Sequence, residues 1–333
     1  MGVTERSHAL QGWTPIAVEW AGGRPAIRWC FTEGVEFTDP FFDQTIDRCL
    51  RDPFRLLFWR ETGFDALAEF ASARPGLRPA GFIFHTSRCG STLLTQMFAG
   101  LPAALVMSEP PTIDAILRSR SAGAVIGDRE LVDWLRWMAS ALGQPRRGGQ
   151  AAFVVKLDAW SILDFPLIRK AFPDAACVFV YRDPVEVLVS SLARRGFHMI
   201  PGTLPPASFG FSAGEAQSAS PEQYCAAVLA ALCESALRAA RGGELTLIHY
   251  SMLPAAVPDI VAPLFGVDVG SSERALFAAV AERNAKNPVI PFIPDGVEKR
   301  RRASPAVRAA VDARVGAVYE SLENLRRGDR DRP

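Results

Sequence analysis

The stretch that decides the fold is GFIFHTSRCGSTLL, which spans residues 81–94 of a 333-residue chain. It begins with a short apolar run typical of a buried strand and ends with a pattern typical of an amphipathic helix. Small, hydroxylated and basic residues form the turn between them. Because a helix leaves its first N–H groups unpaired and partly positive, this segment predicts an anion-binding site.

The side chains of this turn also suit an anion. Arg88 adds a permanent positive charge, Gly90 lets an anion approach the backbone, and Ser91 and Thr92 add hydroxyl donors. The Walker A pattern G-x-x-x-x-G-K-[ST] is absent, and no acidic magnesium-binding partner is obvious. An ordinary capped turn is the alternative explanation, because small polar residues favour all such turns.

A second strand-to-helix segment, CVFVYRDPVEVLVSS, contains residues of the same kind. Asp183 is a good helix N-cap, and Glu186 completes a capping-box-like pair with it. Arg182 at the strand end and Ser190 two turns into the helix have no such local explanation. We expect these two residues to bind a second phosphate beside the first.

Apolar runs alternate with helical stretches on both sides of these segments. The predicted strands are residues 82–85, 104–107, 153–155, 177–181 and 245–248, and the predicted helices are 91–100, 128–141, 160–171, 184–194 and 221–240. The alternation predicts an α/β fold, a three-layer sandwich around a mostly parallel sheet, over residues 79–327. Its ligand is expected at the carboxyl ends of the strands.

The sequence of residues 1–78 predicts a small N-terminal appendage that packs on this domain. Alternating apolar residues over 13–31 predict a two-stranded β-hairpin. A helix is predicted to begin near Asp39-Pro40, and another covers residues 64–73.

Two regions of the main domain depart from the alternating pattern. Residues 196–220 are rich in Gly, Pro, Ser and Phe without a period, and we expect them to form a substrate lid. A last amphipathic helix is predicted from about Ser304 to Leu325, and the polar tail 328–333 is expected to fray.

Composition indicates an ordinary globular protein. Hydrophobic residues make up 49% of the chain, and a net charge of +1 argues against a nucleic-acid-binding protein. Six cysteines without C-x-x-C spacing are expected to be reduced thiols. No stretch approaches the roughly 20 apolar residues of a membrane span, and no apolar signal core begins the chain, so we expect a cytoplasmic protein.

Together the two segments resemble the sulfotransferase family. Its members have a P-loop NTPase-like fold and move a sulfuryl group from 3'-phosphoadenosine 5'-phosphosulfate (PAPS) to a hydroxyl or amine, releasing 3'-phosphoadenosine 5'-phosphate (PAP). The resemblance covers about residues 82–325 and implies no metal. It implies that the 5'-phosphosulfate is bound by the loop residues Arg88, Gly90, Ser91 and Thr92, and the 3'-phosphate by Arg182 and Ser190.

Two residues of the first loop depart from the family pattern. Cytosolic members usually have Lys where Arg88 stands, and Lys can donate a proton to the leaving oxygen, whereas Arg stabilises it only electrostatically. Many bacterial members have Arg there. Cys89 stands where Ser is frequent, and we expect it to pack or to make a minor contact with the nucleotide.

Two carboxylates compete as the base that accepts the acceptor's proton. The resemblance favours Glu109, which follows the second strand as the catalytic Glu of carbohydrate-modifying members does. Asp158 aligns with the base His of cytosolic members, and Lys156 is expected to assist the sulfuryl oxygens. Alternatively, either acid caps the helix that follows it. His85 is expected to pack, and His198 either contacts the acceptor or is a solvated loop residue.

A late basic run also matches the family. The resemblance implies that Lys299 and Arg300 close over the 3'-phosphate, with Lys286 as a further candidate. A solvated basic face is the alternative.

Two other functions stay open at this point. A small-molecule kinase would use a magnesium-bound ATP, and a non-catalytic relative would bind nucleotide without chemistry. The acceptor is equally open among a small molecule, a glycan, a lipid and a peptide, and a homo-oligomer is possible.

Overall fold

The computed structural model describes residues 10–21, 24–121, 123 and 125–330, so predictions about residues 1–9 and 331–333 lie outside it. The strands are β1 (Trp13–Ala21), β2 (Arg24–Phe31), β3 (Arg60–Thr62), β4 (Pro79–His85), β5 (Ala104–Ser108), β6 (Ala152–Lys156), β7 (Ala176–Tyr181), β8 (Thr246–His249), β9 (Arg283–Asn284) and β10 (Asn287–Pro291).

The α-helices are α1 (Phe42–Cys49), α2 (Pro53–Leu57), α3 (Phe64–Ala73), α4 (Ser91–Ala99), α5 (Pro111–Leu117), α6 (Asp128–Leu142), α7 (Phe165–Ala171), α8 (Pro184–Ala193), α9 (Ala213–Ser218), α10 (Pro221–Arg241), α11 (Ala262–Leu264), α12 (Ser271–Ala281), α13 (Gly296–Arg302), α14 (Pro305–Arg314) and α15 (Gly316–Arg330). Short 3-10 turns cover Ala159–Asp164, Phe197–Met199, Pro206–Phe209 and Tyr250–Met252, and a π-helical turn covers Val257–Val261.

Five parallel strands form the central sheet in the order β5-β6-β4-β7-β8. Helices cover both faces, which confirms the predicted three-layer α/β fold. The first strand of the domain, β4, therefore lies in the middle, and the loops that follow β4, β5, β6 and β7 share one edge of the sheet.

The two-residue period of β4 divides the core between the two faces. Phe82 and Phe84 point to the face where their rings pack on Phe172 and Phe165, at 5.1 and 5.5 Å between centroids. Ile83 belongs to a separate core on the opposite face, with the residues of α4 and α12. Each apolar residue of this run is thus buried, as expected for a central parallel strand.

The N-terminal residues form a second, antiparallel sheet that packs on the main domain. The predicted hairpin is present as β1 and β2, and β3, which was not predicted, adds a third strand beside β2. Phe64 of α3 stacks on Trp134 of α6 with the ring centroids 4.0 Å apart, and Trp20 of β1 reaches the same indole. The core of the appendage is therefore continuous with that of the central sheet.

Several predicted boundaries were wrong. The last helix is two helices, α14 and α15, which meet at the buried Val315 and at Gly316, a poor helix former. Residues 196–220 contain α9 and two 3-10 turns instead of a purely irregular chain, and residues 328–330 belong to α15. Helices α5 and α12 and the hairpin β9–β10 were not predicted.

Two further expectations concern the cysteines and a membrane-spanning helix. All six cysteines are free and buried, which agrees with the expected reduced thiols. Within the described residues, no helix is both long enough and apolar enough to cross a lipid bilayer.

A substitution in β4 tests the packing of the central sheet. A Cβ added at Gly81 would lie 2.1 Å from Cε1 of the buried Phe265, so Gly81→Ala is expected to destabilise the fold by about 1–3 kcal/mol through overpacking. The control Gly148→Ala adds a Cβ in open space and is expected to stay within about 0.5 kcal/mol of wild type. Urea unfolding measures both, and equal effects would contradict this packing.

Candidate functional site

The loop between β4 and α4 has a backbone shape that ordinary turns lack. Ser87, Arg88 and Gly90 have φ angles of 63°, 52° and 89°, in the left-handed region that disfavours side chains. The Thr86 N–H donates to Val180 O at 3.1 Å, and the Ser87 N–H donates to Nδ1 of His85 at 2.9 Å. Strain of this kind persists where surrounding contacts hold it and is frequent at functional sites.

The side chains of this loop lie at different depths. The Cys89 thiol is fully buried and donates to Val180 O, so it packs against β7, which leaves only its backbone for a ligand. Arg88 is half-buried, and its Nη2 donates to Arg194 O at 2.8 Å, at the end of α8. Ser91 and Thr92 are buried in the first turn of α4. The loop and the first turn of α4 thus bring the residues of the predicted anion site together.

Glu109, Lys156 and His85 meet at the ends of three adjacent strands. Lys156 is 1% exposed, and its Nζ lies 2.5 Å from Oε1 of Glu109. Nε2 of His85 lies 3.3 Å from the same oxygen and 3.0 Å from Leu157 O. Because Nδ1 of His85 accepts the Ser87 N–H, the donor towards Glu109 and Leu157 O is its Nε2–H.

The two candidate bases have opposite electrostatics. Burial opposes the ionisation of Glu109, but the Lys156 ammonium and His85 outweigh it and hold the pKa of Glu109 well below its usual value. Burial and the nearby carboxylates of Glu109 and Asp114 raise the pKa of Asp158 well above its usual value. Glu109 is therefore the ionised member of the pair.

Neither carboxylate caps a helix, although a capping role was the alternative explanation. Asp158 precedes the turn Ala159–Asp164 without a side-chain bond to it. Pro110 is the N-cap of α5, so Glu109 lies outside that helix and has a φ of 58°. The side chains of both acids are thus left for the site.

The second predicted phosphate site forms a buried ion-pair cluster around Arg182. Nε of Arg182 donates to Oε2 of Glu186 at 2.5 Å, and its Nη2 donates to Oδ1 of Asp295 at 3.0 Å. Asp183 caps α8 as predicted, by accepting from the amides of Val185 and Glu186. The capping-box role of Glu186 was wrong, because its carboxylate turns to Arg182 instead.

The late basic run reaches this cluster. Nζ of Lys299 lies 2.7 Å from Oδ2 of Asp295, and Nη1 of Arg300 lies 2.5 Å from Oε1 of Glu186. Ser190 is half-buried on α8, two turns beyond Asp183. The cations Arg182, Lys299 and Arg300 outnumber the two carboxylates by one, so the cluster keeps an excess positive charge for an anion.

Tyr250 connects the two anion sites. The Arg182 guanidinium lies 4.0 Å from the centroid of its ring. A Cβ added at Gly90 would lie 2.9 Å from Cδ2 of Tyr250, so only Gly leaves room for the ring against the loop. One ring therefore touches both the loop after β4 and the arginine after β7.

Sequence reasoning missed a contribution of the N-terminal appendage. The ring of Phe41 lies between two ammonium groups, with Nζ of Lys156 at 4.8 Å and Nζ of Lys286 at 5.5 Å from its centroid. Burial, together with the nearby charges of Arg88 and Lys156, lowers the pKa of Lys286 to about 8. The only sequence signal was the Phe41-Phe42 pair, which looks like core packing.

His198 also differs from a solvated loop residue. It is 3% exposed, its ring lies 5.3 Å from Trp160, and neither ring nitrogen has a hydrogen-bond partner within the described residues. Burial lowers the pKa of His198 to about 4, so its imidazole is neutral near pH 7. An unpartnered buried polar group carries a free-energy cost that a ligand can remove.

A cavity of about 360 Å³ opens beside Glu109. Carboxylates and aromatic rings share its walls. Its lining includes Phe41, Asp43, Glu109, Asp114, Arg118, Asp158, Trp160 and Phe197. Phe197 is the one member of the expected lid among them, because Phe209 and Phe211 pack on Tyr224.

Comparison with known proteins gives only remote likenesses. No protein-family model and no curated protein matches the chain. A sulfotransferase from Alicyclobacillus acidocaldarius is 16% identical, with a TM-score of 0.43 over 75% of this chain and 96% of that one. The sulfotransferase domain of the Synechococcus PCC 7002 olefin synthase is 16% identical (TM-score 0.40; 78% of this chain, 97% of that one).

A third solved structure is the sulfotransferase domain from the curacin biosynthetic pathway. It is 12% identical, with a TM-score of 0.40 over 71% of this chain and 98% of that one. Because these likenesses are remote, a function for this chain depends on its own side chains.

The buried ion pair predicts a pH-dependent stability. Glu109→Gln leaves Lys156 without a counter-charge and is expected to cost about 2–3 kcal/mol at pH 7, less than for a fully buried pair because Glu109 is 24% exposed. Since the folded pKa of Glu109 is depressed, its contribution is present above the unfolded pKa and is lost as pH falls.

Urea unfolding at a series of pH values checks this expectation. The difference between wild type and Glu109→Gln should shrink as the pH falls below about 5, where the carboxyl of the unfolded chain begins to bind its proton. The exposed Glu130→Gln on α6 is the control and should change little at any pH. A difference that stays constant with pH would mean that the Glu109 carboxylate is not paired in the folded state.

Proposed function

We propose that this chain is a PAPS-dependent sulfotransferase, which moves a sulfuryl group to a hydroxyl or amine of its acceptor and releases PAP. The observation that carries the proposal is the contact of Tyr250 with both Gly90 and Arg182. It brings two separate anion sites to one edge of the sheet, and PAPS has two separate anionic groups. A triphosphate needs one continuous cradle and a bound metal instead.

The donor would lie across both sites. The amides of α4 with Gly90, Ser91 and Thr92 would bind the 5'-phosphosulfate, and the backbone of Cys89 belongs to the same loop. Arg182, Ser190, Lys299 and Arg300 would bind the 3'-phosphate. The 3'-phosphate carries more negative charge than a carboxylate and would displace Asp295 from Arg182. The Asp295 carboxylate is 51% exposed and therefore able to move away.

The chemical step would be an in-line displacement. The acceptor oxygen forms a bond to sulfur while the bond from sulfur to the bridging oxygen breaks, and PAP leaves with that electron pair. Arg88 would stabilise the charge on the bridging oxygen, and Lys156 and Lys286 would stabilise the sulfuryl oxygens. The proton of the acceptor passes to Glu109.

Lys156 would change partner during this step. While its ammonium is paired with Glu109, the carboxylate is a weak base, because the pair lowers its pKa. A sulfuryl group near Lys156 would draw the ammonium away and raise the basicity of Glu109. Binding of the donor would thereby activate the base. Asp158, whose pKa is raised, would stay largely neutral and donate a hydrogen bond.

Calorimetric titration with PAP, ADP and ATP, with and without magnesium, tests the donor site. PAP is expected to bind tightly without metal. Arg182→Ala should weaken PAP about 10- to 100-fold, the loss expected for charge-assisted bonds to one phosphate. Arg129→Ala, on the exposed side of α6, is the control and should bind like wild type. Magnesium-dependent ATP binding without PAP binding would favour the kinase.

Replacement of each carboxylate tests the assignment of the base. Glu109→Gln is expected to lower kcat about 10²- to 10⁴-fold, as for loss of a general base, with PAP affinity unchanged. Asp158→Asn should cost less, because it replaces a largely neutral group by a neutral amide. Both are assayed at a temperature where calorimetry shows them folded. If both variants keep full turnover, this mechanism is wrong.

A further inference from the structure

The cavity beside Glu109 is the first of four adjoining cavities, together called the acceptor groove. It meets a cavity of about 340 Å³ at Arg118 and Trp160, which line both. That second cavity shares Leu163, Ser208, Ser235 and Arg238 with a third, of about 390 Å³. It shares Arg118, Ser121, Leu204 and Pro205 with a fourth, of about 470 Å³. The groove therefore runs from the candidate base to α10 and α14.

The size of the groove exceeds the need of one small acceptor. Sites for small molecules occupy about 300–1,000 Å³, and each of the four cavities alone reaches that range. Residues 204–210 form one wall of the groove and α10 forms another. An acceptor that fills it extends well beyond the group that receives the sulfuryl.

Three carboxyl groups that line the groove have no hydrogen-bond donor. Within the described residues, the carboxyl groups of Asp43, Asp158 and Asp164 form no hydrogen bond or ion pair. Asp114, in contrast, accepts from Nε of Arg118 and Nε1 of Trp160. Carboxyl groups without partners favour a ligand that offers many hydroxyl donors.

The charges of the groove disfavour an anionic acceptor. Besides the largely neutral Asp158, its acids are Asp43, Glu109, Asp114, Asp164 and Glu234, against Arg118, Arg238 and Arg314. The half-exposed ring of Trp160 lies where the first two cavities meet, and Phe197 lies 5.7 Å from it. Aromatic faces bind the C–H faces of sugar rings while carboxylates accept from the hydroxyls.

We infer that the acceptor is an uncharged, extended and polyhydroxylated chain, an oligosaccharide in chemical class, that lies along the acceptor groove. One hydroxyl group reaches Glu109, and the following sugar units occupy the cavities beyond Trp160. This inference rests on the proposed sulfuryl transfer.

Turnover with PAPS is measured for three series of oligosaccharides, from the monosaccharide to the hexasaccharide. The series are malto-, cello- and N-acetylchito-oligosaccharides. In one series or more, kcat/KM is expected to rise about tenfold or more with length, as each added unit fills a further cavity. No rise with length in any series would overturn the inference.

Blocking the far end of the groove supplies a second, independent readout. Ser208→Trp and Ala231→Trp place a large side chain in the distal cavities and are expected to lower kcat/KM for the hexasaccharide about tenfold, with the disaccharide unchanged. Ala278→Trp on α12, across the sheet and exposed, is the control. Unchanged hexasaccharide kinetics in both groove variants would overturn the inference.

Two further outcomes distinguish a wrong acceptor class from a wrong proposed function. Titration with PAP is repeated on every variant, because intact PAP binding shows that the donor site is folded. If wild type binds PAP and sulfates tyrosine peptides with increasing efficiency as they lengthen, but no oligosaccharide, the groove binds peptide and the inference is wrong. If wild type fails to bind PAP, the proposed function itself is overturned, and the inference with it.

Discussion

The charge of Lys156 is the constraint on which the site depends. An ammonium that is 1% exposed needs a counter-charge at close range, and the chain supplies it from the neighbouring strand. Glu109 reaches it by adopting a left-handed φ, and its N–H donates to Lys156 O at 2.7 Å. His85 adds a contact from β4. Three strand ends are thereby held around a single charge.

The strands and helices with a clear local period could be predicted from the sequence. The run 82–85 and the helix 64–73 are examples, because burial on both faces or on one face sets the spacing of apolar residues. The order of the strands could not, since it depends on contacts far along the chain. β3 has three residues, too few for a period, and its pairing with β2 alone defines it.

The sequence indicated candidate site residues where a motif is local and missed a neighbouring one where no motif exists. Arg88 and Glu109 follow strands and Lys156 ends one, and parallel strands bring their ends together. Phe41 reaches the same place from the appendage, which no spacing reveals. Glu186 shows a different limit of prediction. It lies three residues after the N-cap Asp183 and four after Arg182, so its position fits both a capping box and an ion pair.

Arg88 donates to the carbonyl of Arg194, the residue that ends α8 and leads into the wall of the groove. An anion that draws Nη2 of Arg88 away from Arg194 O would release that carbonyl and loosen the start of the 196–220 segment. The affinities for the donor and for the acceptor are then coupled, negatively or positively, through this one hydrogen bond. By thermodynamic linkage, an acceptor that repositions Arg194 changes the affinity for the donor by the same factor as the donor changes the affinity for the acceptor. A single main-chain oxygen would thus couple the binding of the two substrates.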